Sequence, residues 1–163
     1  MHRYAVLMNL SSALALYFTA FLCFIGRAEG ETQRPEKITW EELPELPNAQ
    51  GLSGAFAGLS NGALIVAGGS NFPQPPEGKA ESRFWYADIY VLADAEQEGW
   101  QTGFSLKEPL AYGASVISSQ SLILIGGSNA AGNHKQVTQI TWEAATRKIN
   151  QVSLPPLPHA LSF

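Results

Sequence analysis

One stretch of this chain is written twice. Gly54-Ala-Phe-Ala-Gly-Leu-Ser-Asn-Gly-Ala-Leu-Ile-Val-Ala-Gly-Gly-Ser-Asn71 returns as Gly113-Ala-Ser-Val-Ile-Ser-Ser-Gln-Ser-Leu-Ile-Leu-Ile-Gly-Gly-Ser-Asn129, each reading as strand, short polar turn, apolar strand, Gly-Gly and Ser-Asn. A repeat constrains a fold more tightly than composition does. Each copy must form the same supersecondary unit, and units that cannot bury both faces alone must stack on one another. Each copy is followed by a polar loop and a third strand, Tyr86-Ala-Asp-Ile-Tyr-Val-Leu92 in the first and Val137-Thr-Gln-Ile-Thr-Trp142 in the second. A fourth strand is expected near Gly99-Trp100-Gln101-Thr102, and again near Lys148-Ile149-Asn150-Gln151-Val152. Past the N-terminal segment no stretch carries sustained apolar spacing at a helical period, so the fold class is all-β.

A proline-marked connection follows each unit: Leu43-Pro-Glu-Leu-Pro47, Leu106-Lys-Glu-Pro-Leu110 and Leu154-Pro-Pro-Leu-Pro158. Ile38-Thr-Trp-Glu41, before the first, reads as a fourth strand, and His159-Ala-Leu-Ser-Phe163, after the last, reads as a first strand. Units of this length, with Gly-Gly closing the second strand and an aromatic in the fourth, resemble kelch blades. Gly-Gly has a physical task there, because it lets the backbone turn and approach the neighbouring blade where side chains would collide. The expected architecture is an incomplete kelch-type β-propeller, two blades plus strands of two neighbouring blades. Residues 38–51 would be the outer strand of the closing blade and its junction, 52–110 and 111–158 the two blades, and 159–163 the first strand of a truncated third. Two blades with orphan strands leave apolar faces open, so the chain reads as a sector of a protein about twice as long.

The N-terminus reads as an address. Arg3 is followed by an uncharged apolar run to Ile25, then by small residues at Gly26, Ala28 and Gly30, which is the pattern of a cleaved secretory signal over residues 1–28, with a polar linker at 29–37. The alternative is an uncleaved anchor, since the run is nearly long enough to span a bilayer. Cleavage makes the protein exported, periplasmic or secreted, with no membrane association afterwards. The lone cysteine, Cys23, leaves with that segment, which removes disulfides, thiolate metal sites and cysteine nucleophiles together. Loss of Arg3 and Arg27 moves the net charge from −4 to about −6, which attracts neither nucleic acid nor an anionic membrane.

Strand alternation fixes which loops share a face. Connections between second and third strands, and between one blade and the next, lie on one rim, where binding and catalysis usually sit on a rigid scaffold. That rim gathers the loop from Ser70 to Trp85, the loop from Ser128 to Gln136, and junctions ending at Ser53, Tyr112 and His159, which align through Gly54, Gly113 and Ala160. Each candidate has a plain alternative. Tyr112 reads as a channel residue or a hydrogen-bonded packing residue. His159 reads as a site residue or a junction cap. Asn71 and Asn129 follow Gly-Gly, where Asn also suits the turn. Arg83 could hold a carboxylate in bidentate fashion or pair with Glu81.

Several chemistries are excluded. His2, His134 and His159 show no metal-ligand spacing, no Gly-x-Ser-x-Gly elbow occurs, and copper chemistry on a kelch ring would want a cysteine crosslinked to a tyrosine. No cofactor is expected. The stretches Gly54-Ala-Phe-Ala-Gly-Leu-Ser-Asn61, Leu64-Ile-Val-Ala-Gly-Gly69, Tyr86-Ala-Asp-Ile-Tyr90, Ala111-Tyr-Gly-Ala-Ser115 and Leu122-Ile-Leu-Ile-Gly-Gly127 resemble the N-acetylneuraminate epimerase (sialic acid mutarotase) family of kelch proteins. The two blades stand first here and near the C-terminus of the familiar bacterial members, so the resemblance is to the cyclically permuted branch. It implies an isomerase that interconverts the anomers of N-acetylneuraminic acid. The family's proposed catalytic acid and its arginine partner lie on a blade that matches no part of this chain, so neither role passes to Glu81 or Arg83, and the chain would supply pocket walls. The competing readings are a non-catalytic kelch module that binds glycans or proteins, and a non-functional truncation.

Overall fold

The computed structural model describes residues 38–74, 77, 82–93 and 99–163, so the leader at 1–28, the linker at 29–37 and Glu81 lie outside the described residues. The chain divides into two units, Met1–Trp40 and Glu41–Phe163. In the first, Ile38, Thr39 and Trp40 are exposed and form no secondary structure. The outer strand expected at 38–41 is that of a closing blade, and the segment joins neither of the two four-stranded sheets. A strand exists through its ladder to a neighbour, and the four-stranded sheets of this chain draw every strand from Phe56 onward.

The second unit is all-β. β1 (Phe56–Ser60) turns back through Asn61 and Gly62 into β2 (Ala63–Ala67). A two-residue ribbon, β3 (Ser70–Asn71) with β4 (Phe84–Trp85), leads to β5 (Asp88–Leu92) and β6 (Gln101–Ser105). The same sequence of events gives β7 (Ala114–Ser118), β8 (Ser121–Ile125), the ribbon of β9 (Ser128–Asn129) with β10 (Gly132–Asn133), β11 (Val137–Glu143) and β12 (Lys148–Leu154). The sheets run β1-β2-β5-β6 and β7-β8-β11-β12, antiparallel throughout. Composition explains the order. The second strand of each blade carries an unbroken apolar run, Ala63-Leu-Ile-Val-Ala67 and Leu122-Ile-Leu-Ile125, as a strand covered on both faces requires, whereas outermost β12 is mostly polar, with Ile149, Val152 and Leu154 its only apolar residues. The fourth strand of the first blade begins at Gln101, two residues after Gly99, whose φ of +63° is not that of a strand.

The blades pack face to face. Phe56, Ile65, Ile89 and Val91 of the first meet Leu122, Leu124, Ile140 and Trp142 of the second, with Leu106 and Leu110 of the junction sealing one end, and Phe104 sets its ring edge against Trp142 at 5.8 Å. Each such side chain withdrawn from water contributes about 1.5–3 kcal/mol, so apolar contact outweighs any single polar contact here. Polar pins fix the alignment. Ser60 Oγ donates to the Gln120 carbonyl (2.7 Å) and accepts from the Trp142 amide (2.9 Å), while Asn61 Nδ2 donates to the Trp142 carbonyl (2.7 Å).

The Gly-Gly pairs show why they recur. Gly69 N–H donates to the Leu110 carbonyl (2.9 Å) and Gly127 N–H to the Leu161 carbonyl (2.7 Å). A Cβ on Gly68 would collide with the Leu110 oxygen, and one on Gly126 would stand 2.5 Å from the Leu161 oxygen. Both glycines have φ +64°, a second reason that no other residue fits without strain. Residues 159–163 repeat the lead-in that precedes a first strand rather than a first strand itself. They form no strand, and are held by Leu161 N–H to the His134 carbonyl (3.1 Å) and Phe163 N–H to the Tyr112 carbonyl (2.8 Å).

Candidate functional site

The rim site starts from the junction register. Ser53 bridges Ser70 and Ala111 bridges Ser128, the two serines each directly after a Gly-Gly pair, and the blades match residue for residue at an offset of 58 from the lead-in through the second strand, as in Ala57 and Ser115. Gly54 (φ +64°) therefore corresponds to Tyr112 (φ +58°), not to Gly113. Phe163 takes the same place in the third copy: Tyr112 N–H donates to the Gly54 carbonyl as Phe163 N–H donates to that of Tyr112, both at 2.8 Å. This corrects the alignment through Gly54, Gly113 and Ala160. Ser53 matches Ala111 and Ser162, and His159, an exposed residue, stands earlier, at the place that Glu108 holds one junction before. The backbone conformation defines the position, and Gly113 is needed for a different reason: the Phe56 ring would lie 2.5 Å from a Cβ there.

Tyr112 holds a left-handed conformation that is uncommon for a residue with a side chain, and its surroundings fix it. Its ring lies flat on Gly54, where a Cβ would come within 2.5 Å of Cδ1. Its hydroxyl is 3.1 Å from Ser70 Oγ, and Trp85 meets its ring edge-on at 6.0 Å. Arg83, at the end of the loop before β4, lays its guanidinium over three rings, with Cζ 4.8 Å from the centre of Phe72, 5.1 Å from Tyr112 and 5.4 Å from Trp85. A guanidinium drawn in among aromatic rings presents a fixed cation with several N–H donors, the kind of group that meets an oxyanion.

The two asparagines hold the lead-ins in place. Asn71 Nδ2 donates to the Gly51 carbonyl (2.9 Å), and its Oδ1 accepts from Tyr86 Oη (3.0 Å). Asn129 repeats this with the Pro109 carbonyl (3.1 Å) and adds Glu108 Oε2 (3.3 Å), while its Oδ1 accepts the Ala131 amide (2.9 Å). His134 Nδ1 lies 3.8 Å from Glu108 Oε1. The second loop is shorter than expected. Asn129 and Gly132 pair across Ala130 and Ala131, so the segment from Ser128 to Gln136 begins as a tight hairpin.

The fold thus brings Arg83 and Tyr112 together, with Ser53 linked to them only through the backbone of Ser70. It leaves His159 apart. Reasoning from sequence missed Phe72, Trp85 and Ser70, and the available signal was the density of aromatic residues, Phe72, Phe84, Trp85 and Tyr86, bracketing Arg83. Beside Trp85 lies an apolar hollow of about 240 Å³, lined by Pro109, Asn129, Ala130 and Ala131. A cation flanked by ring faces and a small apolar recess suits an anionic ligand with apolar substituents, such as an acidic sugar. Among the described residues no group of three or more His, Cys, Asp or Glu is placed to hold a metal ion.

Four-stranded antiparallel blades packed face to face through Gly-Gly junctions, with their loops on one rim, define a kelch-type β-propeller protein. The solved structure of YjhT is similar with a TM-score of 0.60 and 29% identity, over 70% of this chain and 34% of that one. N-acetylneuraminate epimerase of Yersinia enterocolitica is 35% identical over 131 residues, which is 71% of this chain and 32% of the relative. The Salmonella enteritidis N-acetylneuraminate epimerase is 37% identical over 121 residues, 65% of this chain and 30% of the relative. The N-acetylneuraminate epimerase family matches residues 27–149, and the chain belongs to that family. It spans about a third of the length of these relatives.

Proposed function

We propose that this chain serves as a sector of an exported mutarotase that interconverts the anomers of N-acetylneuraminic acid. The observation that carries the reading is the family match, which runs through both blades rather than through the generic Gly-Gly repeat alone. Anomer exchange proceeds through the open chain. A base takes the proton of the anomeric hydroxyl, the bond from the anomeric carbon to the ring oxygen breaks with its electrons going to that oxygen, and an acid protonates it. Rotation of the freed keto group and closure on its other face reverse these steps. The protein must supply the proton-transfer groups and a cation that keeps the substrate carboxylate still. The acid and base are assigned to no residue of this chain, and its contribution is the rim carrying Arg83, Tyr112 and Trp85. Export follows from Arg3, the apolar run to Ile25 and the small residues after it.

The test follows freshly dissolved N-acetylneuraminic acid by NMR. Faster approach to the anomer equilibrium with protein than in buffer supports the reading, and an unchanged rate rejects it. A second reading is a kelch module that holds the sugar without turning it over, a task the rim of Arg83 and Trp85 would equally serve. Sialic acid binding without anomer exchange would select it. For export, the mature N-terminus of the secreted protein should fall just after the apolar run, and retention of Met1 in a cytoplasmic product would refute it.

A further inference from the structure

Arg83 and the hollow beside Trp85 are two halves of one feature. Trp85 contributes to both: the guanidinium lies over its ring at 5.4 Å, and the ring also forms a wall of the hollow with Pro109, Asn129, Ala130 and Ala131. Asn129 does not make that recess polar, because its amide nitrogen is committed to Glu108 and Pro109 and its oxygen to the Ala131 amide. At about 240 Å³ the hollow is too small for a whole sugar, since ligand sites usually run to roughly 300–1,000 Å³, but it is ample for one substituent. The cation and the recess share a single indole. We infer that this rim is a two-point recognition site for an N-acylated sugar acid, in which Arg83 takes the carboxylate and the hollow takes the methyl end of the acylamino group.

Three rings around one exposed arginine explain how the first point is built. Phe72, Tyr112 and Trp85 stand around the guanidinium with its carbon 4.8, 5.1 and 5.4 Å from their ring centres, so less side-chain freedom is lost when its N–H groups bind carboxylate oxygens. Tyr112 is anchored in turn by its seat on Gly54 and its contact with Ser70, so the platform is rigid before any ligand arrives. The second point selects. An unacylated amino sugar would bring an ammonium group to a recess that offers it no acceptor. This assignment rests on the sialic acid reading above, since that ligand carries a carboxylate and an acetamido group on opposite sides of one ring.

The experiment titrates the full chain by calorimetry with N-acetylneuraminic acid, with the β-methyl glycoside of neuraminic acid, which lacks the acetyl group, and with N-acetylmannosamine, which lacks the carboxylate. Anomer exchange is followed in the same samples. Arg83→Gln should weaken N-acetylneuraminic acid about tenfold or more while leaving N-acetylmannosamine unchanged. Ala131→Leu, a change on an exposed turn, should fill the hollow and weaken the acetylated acid about tenfold with no effect on the unacetylated one. Circular dichroism of both variants confirms the fold. Absence of N-acetylneuraminic acid binding, or binding indifferent to both substitutions, overturns the inference. Anomer exchange that survives both substitutions unaltered overturns it while leaving the proposed activity standing. Binding that follows both substitutions without any exchange leaves it standing while the activity falls.

Discussion

Replacing Ser60 with alanine should separate the blades more than its size suggests. The hydroxyl is 1% exposed and serves both sheets, accepting the Trp142 amide at 2.9 Å and donating to the Gln120 carbonyl at 2.7 Å. Trp142 is itself 1% exposed, so its amide would be left in an apolar interior without an acceptor, at a cost of about 1–3 kcal/mol. The Gln120 carbonyl lies near solvent and regains water, so its loss is about 1 kcal/mol. Together these predict a loss of about 2–4 kcal/mol, which lowers a urea midpoint by about 1–2 M at an ordinary m value. Urea titration followed by tryptophan fluorescence and far-ultraviolet circular dichroism measures it. Ser118 is the matching control: it occupies the corresponding place in the second blade, where it is exposed, and its alanine variant should stay within about 0.5 kcal/mol of the parent. Equal midpoints for the Ser60 and Ser118 variants would refute the claim that polar pins at the strand turn lock one blade to the next.

Gly68→Ala should abolish folding or remove at least about 3 kcal/mol, because its methyl would meet the Leu110 oxygen at a positive φ, whereas Gly62→Ala, in open space at φ +81°, should cost about 1 kcal/mol; thermal melts distinguish them. Tyr112→Phe should cost about 1 kcal/mol through loss of the Ser70 contact while keeping the ring on Gly54, and a melting temperature equal to the parent's would show that the hydroxyl contributes nothing. Burial, then the charge of Asp88, pushes the Tyr90 phenol above its ordinary value of 10.0. Its neutral form is the one the fold favours, so its contribution is complete below pH 10 and declines as pH rises through the elevated folded value. Stability should therefore fall more steeply above pH 10 in the parent than in Tyr90→Phe, and parallel curves would contradict this.

The rim shows how one backbone device can serve two ends. Successive junctions are tied by one backbone bond, Tyr112 N–H to the Gly54 carbonyl and Phe163 N–H to that of Tyr112, and positive φ at this place is met by a glycine at Gly54 and by a ring-bearing residue at Tyr112. Where it carries a ring, that ring is delivered to the loop face at no cost in new structure. Tyr112 is there because of the junction, and Arg83 then finds it because the long first loop ends beside it.

What the sequence alone determined was the repeat and its consequences. Gly-Gly after an apolar strand, four strands to a unit and the proline-marked connections are local signals, each carried by residues within one turn or one strand, and they sufficed for an all-β stacked architecture. The tertiary structure decided the junction register, because matching Gly54 to Gly113 compares residue types whereas the fold compares φ angles and donors, and those pair Gly54 with Tyr112. It alone assembled the rim, since Phe72, Arg83 and Trp85 belong to one blade and Tyr112 to the next, and no spacing in the chain encodes how far apart two stacked sheets stand. It also showed that Ile38-Thr-Trp-Glu41 joins neither of the two blades, because strand character resides in hydrogen bonds to a neighbour and not in the segment that could make them.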